Sequence, residues 1–373
     1  MLRALARVDL GAISSNCALL KRVVGDGTRL CAVVKADGYG HGALQAAQAA
    51  LAGGAEWLAV ATAAEAAALR GIGIAVPVLV MGALSDEELR VAVEARADVV
   101  AWRHAFVERL AMLPGADGIG VHVKLDTGMG RLGTRDAEEA LGVAGGVAAT
   151  HRLRLVGAMT HFATADDDPE FMRVQLDTFV PWAKSVRDTF GDVLVHAANS
   201  AATLREPASH FDLVRCGVAV YGMDPFQVDP AASGLLPALE LSSYVAEVKL
   251  AAAGDTAGYG RRFVAEQATW IATLPIGYAD GVRRGLSDNA EVLIRGRRYP
   301  MVGTVSMDNV TVDLGPAPSE PHGLRGAQAI LLGRDGGETI LAEDWARRLG
   351  TINYEVSCAI SARVPRAYPG GAI

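Results

Sequence analysis

Eight short runs of β-branched and other apolar residues alternate with alanine-rich helical patterns between residues 29 and 221, and this rhythm constrains the fold more than any other feature. The runs lie at 29–35, 57–61, 77–81, 98–101, 121–126, 154–161, 193–198 and 213–221. Between them, 42–51, 63–69, 86–94, 104–110, 135–143 and 169–189 read as amphipathic helices, several with acidic residues in the first turn. Strands that are apolar almost throughout need cover on both faces, which calls for a parallel sheet flanked by helices. Eight such units predict a closed (β/α)8 TIM-like barrel; a doubly wound open sheet is the competing arrangement.

Past residue 221 the rhythm changes. Residues 222–237, with Pro, Gly and Asp, read as a linker. Strand-like runs follow at 239–250, 268–275, 291–294, 300–305, 310–314 and 329–332, broken by turns at 295–297 and 335–337. A helix is expected near 343–349 and a proline-rich loop at 316–321. The second half is therefore expected to be mostly β. No internal repeat is evident.

Composition narrows the function classes. With 373 residues, about half apolar and a fifth charged, the chain is an ordinary soluble globular enzyme in make-up, large enough for two domains. A formal net charge of -7 argues against a general nucleic-acid binder. Cys17, Cys31, Cys216 and Cys358 form no CxxC pair and read as buried, reduced thiols of a cytoplasmic protein, with no zinc or other metal site. The opening residues carry no apolar signal-peptide core. The most apolar stretch, 57–84, is interrupted by Glu65, Arg70, Gly71, Gly73 and Pro77, so no membrane span is expected.

In such a barrel the chemistry sits at the C-terminal strand ends. There the sequence places Lys35 with the glycine-rich turn to Gly42, Lys124 and the turn to Arg131, His161, Asn199-Ser200, and Arg215 with Gly217. Two lysines, two arginines and a histidine on one rim suit a phosphate or carboxylate. Burial of Lys35 beside an apolar strand favours a neutral amine able to form a Schiff base; the plainer reading is a lysine whose ammonium reaches back to water. Ser200 suits either a phosphate contact at a helix start or a simple N-cap. Arg215 has a local alternative in pairing with Asp212, His161 as a core histidine, and Lys124 and Arg131 as exposed cations flanking a loop. Tyr39, Tyr259 and Tyr354 also have ordinary semi-buried or turn readings. Asp166-Asp167-Asp168 precedes Pro169 and reads as a solvated helix start, not a metal site, and Gly71-x-Gly73 as a turn.

The segment VVKADGYGHG resembles the cofactor-lysine motif of alanine racemases. VKLDTGMGRLG, MTHFATAD, HAANSAATL, LVRCGVAVYG, AGYGRRF, LPIGYADGVRR, GTVSMDNVTVDL and INYEVSCAISARVPR resemble further blocks of that family, in its order and across essentially the whole chain. The resemblance implies a pyridoxal 5'-phosphate-binding barrel over 10–230 and a β-rich domain over 235–373, joined by residues 1–9. It implies a head-to-tail homodimer in which each site borrows groups from the partner.

Residue by residue, the resemblance makes Lys35 the Schiff-base lysine and Arg215 the group facing the pyridine nitrogen. Tyr39, Ser200, Gly217, Val218 and Tyr354 take phosphate-binding positions. Tyr259, from the partner, is the second base, and His161 links it to Arg215. Lys124, carbamylated in many members, orients Arg131, which contacts the cofactor's phenolic oxygen and the substrate carboxylate. Met307 offers its backbone N–H to that carboxylate, and Asp308, Tyr278 and Arg284 surround the entrance. Alanine is the expected substrate, with serine or another small amino acid as the alternative. Related decarboxylases carry a glutamate where this chain has Arg215, and the related carrier proteins lack the second domain and Tyr259. A D-alanine product would feed cell-wall synthesis, which implies a cytoplasmic enzyme.

Overall fold

The structure, a computed structural model, describes residues 2–317 and 323–369. It divides into two compact units, Ile13–Val220 and Met1–Ala12 with Tyr221–Ile373.

The chain opens with strand β1 (Leu5–Val8), which belongs to the second unit. The first unit carries β2 (Arg29–Val33), β3 (Trp57–Val60), β4 (Val78–Val80), β5 (Asp98–Ala101), β6 (Ile119–Lys124), β7 (Leu153–Met159), β8 (Leu194–His196) and β9 (Leu213–Cys216). Neighbours pair in parallel in the order β9-β2-β3-β4-β5-β6-β7-β8. The seam between β8 and β9 is bridged just beside the strands, by Asp212 N to Val195 O at 3.1 Å and Arg215 N to Ala198 O at 2.9 Å. This is a nearly closed eight-stranded barrel, and the open-sheet alternative falls away. Every residue of β3 and β6 is buried, as expected for strands covered on both faces.

The helices begin where local chemistry satisfies their first N–H groups. Thr62 with Glu65 and Ser85 with Glu88 form capping boxes at Ala63–Gly71 and Asp86–Glu94. Asp136 and Asp168 cap Ala137–Ala149 and Pro169–Phe190, so the acidic run at 166–168 does mark a helix start. Three readings of this half need correction. Helix Leu10–Val24 was not anticipated, although the Asp9 carboxylate accepts from Ala12 N at 3.0 Å in the manner of a cap. The helix expected at 135–143 starts at Ala137 and continues to Ala149, because Gly142, Gly145 and Gly146 are tolerated within it. The run at 213–221 ends as a strand at Cys216 and continues as a 3-10 turn, Val218–Tyr221.

The second unit is built on a ten-stranded sheet. Its strands are β10 (Leu239–Tyr244), β11 (Glu247–Ala251), β14 (Thr269–Leu274), β15 (Glu291–Ile294), β16 (Arg297–Val302), β17 (Val310–Pro316), β18 (Gln328–Asp335), β19 (Glu338–Ile340) and β20 (Arg366–Ala367), with β1 from the N-terminus. β12 (Thr256–Ala257) and β13 (Phe263–Val264) form a separate two-stranded ribbon. β1 is wedged between β10, antiparallel, and β20, parallel. The run at 239–250 is two strands, because β10 pairs with β1 and β18 whereas β11 pairs with β14. The β15–β16 hairpin turns on Arg295 and Gly296, both at positive φ, as a two-residue turn following the twist of its strands requires. Leu274, Val292, Ile294 and Leu331 lie in the core of this unit, together with Trp345 of helix Ala342–Leu349.

Residues 222–237 are not a free linker. Asp229 caps a 3-10 turn at Pro230–Ser233, and the segment folds back so closely that a Cβ on Gly222 would overlap Leu236 O. The loop expected at 316–321 starts inside β17, and its residues 318–321 lie outside the described residues. Cys17, Cys31 and Cys216 are buried thiols, whereas Cys358, expected to be buried, is exposed. No helix among the described residues is long and apolar enough to cross a membrane.

Candidate active site

Strand β2 stops at Val33, and the chain leaves it through an unusual turn. Ala36, Asp37, Gly38, Tyr39 and Gly40 all have positive φ, so Lys35 is followed by a full left-handed turn. A left-handed conformation costs a non-glycine residue about 1–2 kcal/mol. Three hydrogen-bonded supports offset it. Glu65 accepts from Ala36 N at 2.7 Å, Asp37 accepts from Ala43 N at 2.9 Å, and the His41 ring meets Tyr39 O at 2.9 Å. The turn brings the half-buried Lys35 to 5.9 Å from the centre of the buried Tyr39 ring.

On the β6 side, Lys124 is buried and Arg131 exposed, so the reading of two exposed cations fails for the lysine. Burial first, then the neighbouring Arg215 and Arg131, push the Lys124 ammonium down to about 8. The loop between them is shaped by Asp126, whose carboxylate accepts from Gly128 N at 3.1 Å and Gly130 N at 3.0 Å. Burial works against its ionisation, but those bonds and Arg135 outweigh it and hold the carboxyl below the usual range. Fully buried Gln175, on helix Pro169–Phe190, ties this loop to the β7 rim. It donates to Thr127 Oγ1 at 3.2 Å and accepts from Ala163 N at 2.8 Å.

Arg215, at 2% exposure, is the centre of the rim. Its Nη1 donates to His196 Nδ1 at 2.8 Å. Its Nη2 reaches Thr160 O at 2.8 Å, Ala197 O at 2.9 Å and His161 Nδ1 at 3.2 Å. Burial lowers its pKa to about 10, which leaves it a cation at neutral pH. The proposed local partner, Asp212, is engaged elsewhere, with Arg187 and Val195 N. Arg215 Nε is buried and has no hydrogen-bond partner among the described residues. Burial, then Arg215, Lys124, Arg131 and Lys35 in that order, hold His161 well below its ordinary value, which puts all four cations and the histidine in one electrostatic cluster. His161 is therefore neutral. A guanidinium can only donate, so His161 Nδ1 accepts and its proton sits on Nε2.

Beside Arg215, Asn199 caps helix Ser200–Arg205 by accepting from Ala202 N at 3.0 Å. Ser200 is thus not the cap. Its buried hydroxyl instead accepts from Gly217 N at 3.0 Å and Ala219 N at 3.3 Å. A Cβ at Gly217 would overlap Tyr39 Oη, so Tyr39, Ser200, Gly217 and Val218 form one close-packed nest of hydroxyls and main chain.

The remaining predicted residues lie in the second unit. Tyr259, 73% exposed, sits in a 3-10 turn whose carbonyl accepts from Thr304 Oγ1 at 2.8 Å. Tyr278 N donates to Ser306 O and Ala279 N to Met307 O, at 3.0 and 3.1 Å, so exposed Tyr278 and Met307 share one loop pair. Asp308 pairs with Arg363 at 2.7 Å. Arg284 is exposed on a 3-10 turn, and half-buried Tyr354 lies on helix Asn353–Cys358. Each unit therefore assembles its own group: cations and a close-packed nest of hydroxyls and main chain in the barrel, an exposed tyrosine-bearing face in the β unit.

Sequence reasoning missed Thr160, Gln175, His196, His122 and Asp98. His122 did leave a signal, since it is a lone polar residue in an apolar strand, two positions before Lys124 and so on the same face.

Residues 8–225 match the family model for the N-terminal domain of alanine racemase, and residues 238–368 match that for its C-terminal domain. The chain is 41% identical over 374 residues to the alanine racemase of Geobacillus stearothermophilus, covering 97% of this chain and 92% of that one. It is 40% identical over 368 residues to that of Halalkalibacterium halodurans, covering 97% and 94%. Among solved structures it resembles alanine racemase from D-cycloserine-producing Streptomyces lavendulae, with a TM-score of 0.91, 36% identity and coverage of 100% and 98%. It also resembles the Bacillus anthracis alanine racemase with bound L-Ala-P, with a TM-score of 0.89, 38% identity and coverage of 99% and 95%.

Proposed function

The chain belongs to the alanine racemase family, and from that premise we propose that it interconverts L-alanine and D-alanine with pyridoxal 5'-phosphate at the barrel rim, in a homodimer with shared sites. It is an isomerase, and matches along nearly its whole length support alanine as substrate. The family depends on pyridoxal phosphate, which when bound withdraws electrons from the alpha carbon of the substrate and so acidifies its proton.

The observation that carries the cofactor reading is Arg215 Nε, a buried donor without an acceptor among the described residues. Leaving such a donor unmet costs about 1–3 kcal/mol. The lone pair of a pyridine nitrogen is the acceptor it lacks. Arg215 would donate there and keep its own proton, leaving a bound ring a moderate electron sink. The close nest of Tyr39, Ser200, Gly217 and Val218 suits the phosphate, with Tyr354 as a further contact. Lys35 would supply the amine that holds the cofactor's aldehyde.

The chain's own groups move the protons. Tyr259 of one subunit and Lys35 of the other face the substrate's alpha carbon from opposite sides. For L-alanine, the Tyr259 phenolate takes the alpha proton and Lys35 Nζ returns one to the opposite face; D-alanine reverses the roles. His161 Nε2–H, set in place by Arg215, donates to the phenolate oxygen and steadies it. Arg131 binds the substrate carboxylate, with the Met307 N–H as second donor, and Lys124 orients Arg131. A carbamate on Lys124 would place an anion between Arg131 and Arg215, and its neutral amine above pH of about 8 is the form that captures carbon dioxide. Asp308, Tyr278 and Arg284 line the approach. The work is done in the cytoplasm, where the thiols stay reduced.

Chiral chromatography of L-alanine and L-serine incubated separately with the protein and pyridoxal phosphate tests this reading. D-alanine should form fastest and vanish in Lys35→Ala. Faster D-serine formation would replace the substrate, and no D-product with cofactor bound would reject the racemase.

A further inference from the structure

Behind Arg215 a line of polar side chains runs through the barrel interior, where β-strands of this kind ordinarily stack aliphatic layers. Arg215 Nη1 donates to His196 Nδ1 at 2.8 Å. His196 Nε2 meets His122 Nδ1 at 2.8 Å. His122 Nε2 lies 3.5 Å from Asp98 Oδ2, beyond a formed hydrogen bond, and has no hydrogen-bond partner among the described residues. All four side chains are buried. β6 and β8 are not neighbours, and neither are β6 and β3, whose Trp57 ring packs edge-on against His122 at 5.6 Å. Such contacts can form only inside the barrel. Asp98 is the first residue of β5, so the line crosses from the C-terminal rim to the opposite end.

The direction of every proton follows from one fact. A guanidinium has no acceptor, so His196 Nδ1 accepts and His196 carries its proton on Nε2. That proton makes His122 Nδ1 an acceptor, which leaves the His122 proton on Nε2, aimed at the Asp98 carboxylate. Burial, Arg215 and His122 hold His196 well below its ordinary value, in agreement with a neutral ring. At the far end, the charge near Asp98 is Arg70, whose guanidinium binds the carbonyls of Ala95, Ile74 and Val76 and feels Asp98.

The barrel is cut to fit this line. A Cβ on Gly157 would overlap His122 Nδ1, and a Cβ on Gly120 would overlap the Asp98 carboxylate. Neither glycine has a positive φ, so the backbone does not demand glycine at either place. Their missing side chains serve only to leave room.

We propose that Asp98, His122 and His196 are positioning residues, a one-way relay in which the nearby Asp98 carboxylate orients the His122 proton and the His122–His196–Arg215 hydrogen bonds fix the guanidinium with its Nε turned to the cofactor site. The role given to Arg215 rests on the racemase reading; the relay itself does not. Loss of the relay frees Nη1, leaves the guanidinium held through Nη2 alone, loosens the aim of Nε and costs turnover, while substrate, which touches none of the three, binds as before.

The test is nitrogen NMR of protein labelled only at histidine, which has eight imidazoles, in wild type and in Asp98→Asn, His122→Leu and Gly157→Ala. Wild type is expected to show His122 and His196 neutral, protonated on Nε2, with or without pyridoxal phosphate. Asp98→Asn keeps an acceptor without the charge and should shift the His122 Nε2 and His196 Nε2 resonances. It should lower kcat about tenfold at unchanged KM. Gly157→Ala, which removes no polar group, should disturb the same two imidazoles; if it fails to fold, Asp98→Asn alone decides. A proton on Nδ1 of either histidine, or Asp98→Asn with wild-type resonances and kcat, overturns the relay and leaves the racemase standing. Absence of racemisation with the expected tautomers would reject the racemase and leave the relay intact.

Discussion

Replacing Lys124 with methionine isolates the cost of its buried charge, because the two side chains are similar in volume and shape. A fall from the ordinary 10.5 to about 8 corresponds to about 3.4 kcal/mol of destabilisation while the amine is protonated. The folded state binds the lysine proton less tightly than the unfolded chain. The cost is therefore complete below pH about 8, shrinks as pH rises toward 10.5, and is absent above that. Equilibrium urea unfolding in carbon-dioxide-free buffer, at fixed protomer concentration, measures it as the wild type minus Lys124→Met difference. That difference should move in favour of wild type by about 3 kcal/mol between pH 7.5 and 10.5. Bicarbonate at pH 7.5 should stabilise wild type and not the variant, since a carbamate replaces a repelled cation with an anion beside Arg131 and Arg215. A difference that stays flat with pH would refute the argument that burial and two arginines depress this amine.

Three further outcomes follow from the same structure. Tyr259→Phe should lower racemisation by about 10²–10⁴-fold, the usual worth of a positioned acid or base, with pyridoxal phosphate absorbance retained; steady-state kinetics and a spectrum check both. Gly217→Ala puts a methyl against Tyr39 Oη and should weaken cofactor binding and lower stability by about 1–3 kcal/mol, read by cofactor titration and urea unfolding. His161 and His196 are held well below 6.5, so below that pH the unfolded chain binds more protons than the folded one. Urea midpoints of the apoprotein should therefore fall as pH drops from 7 toward 5, and His196→Gln should lessen the fall.

Much of the barrel was readable because each strand carries its signal locally. Helix Asp86–Glu94 was placed at both ends, since acidic residues crowd its first turn at the start of an apolar periodicity, and the structure adds a capping box of Ser85 and Glu88 there. Helix Ala137–Ala149 was cut short because three glycines hide a periodicity that packing restores. Residues 222–237 looked like a linker because turn residues are the same in a tether and in a segment folded against its own domain. Of the candidate site, Lys35, Lys124, Arg131, His161, Ser200 and Arg215 were reached by looking at strand ends, and the structure gathers them on one rim of the barrel unit. The supporting residues escaped for two reasons. Gln175 acts from a helix face that reads as ordinary amphipathic sequence, and His122 and Asp98 lie inside strands, where a polar residue has meaning only once its partner across the barrel is known. The left-handed turn after Lys35 was also invisible, since Ala36, Asp37 and Tyr39 are not residues that announce positive φ.

The most direct test of the account mixes two inactive chains. Lys35→Ala and Tyr259→Phe proteins are unfolded together, refolded, and assayed for D-alanine formation from L-alanine. If each site joins Lys35 of one subunit to Tyr259 of the other, half of the dimers are mixed and each mixed dimer has one intact site, so about a quarter of wild-type activity returns. Activity no higher than that of the two variants refolded separately would contradict the shared two-base site.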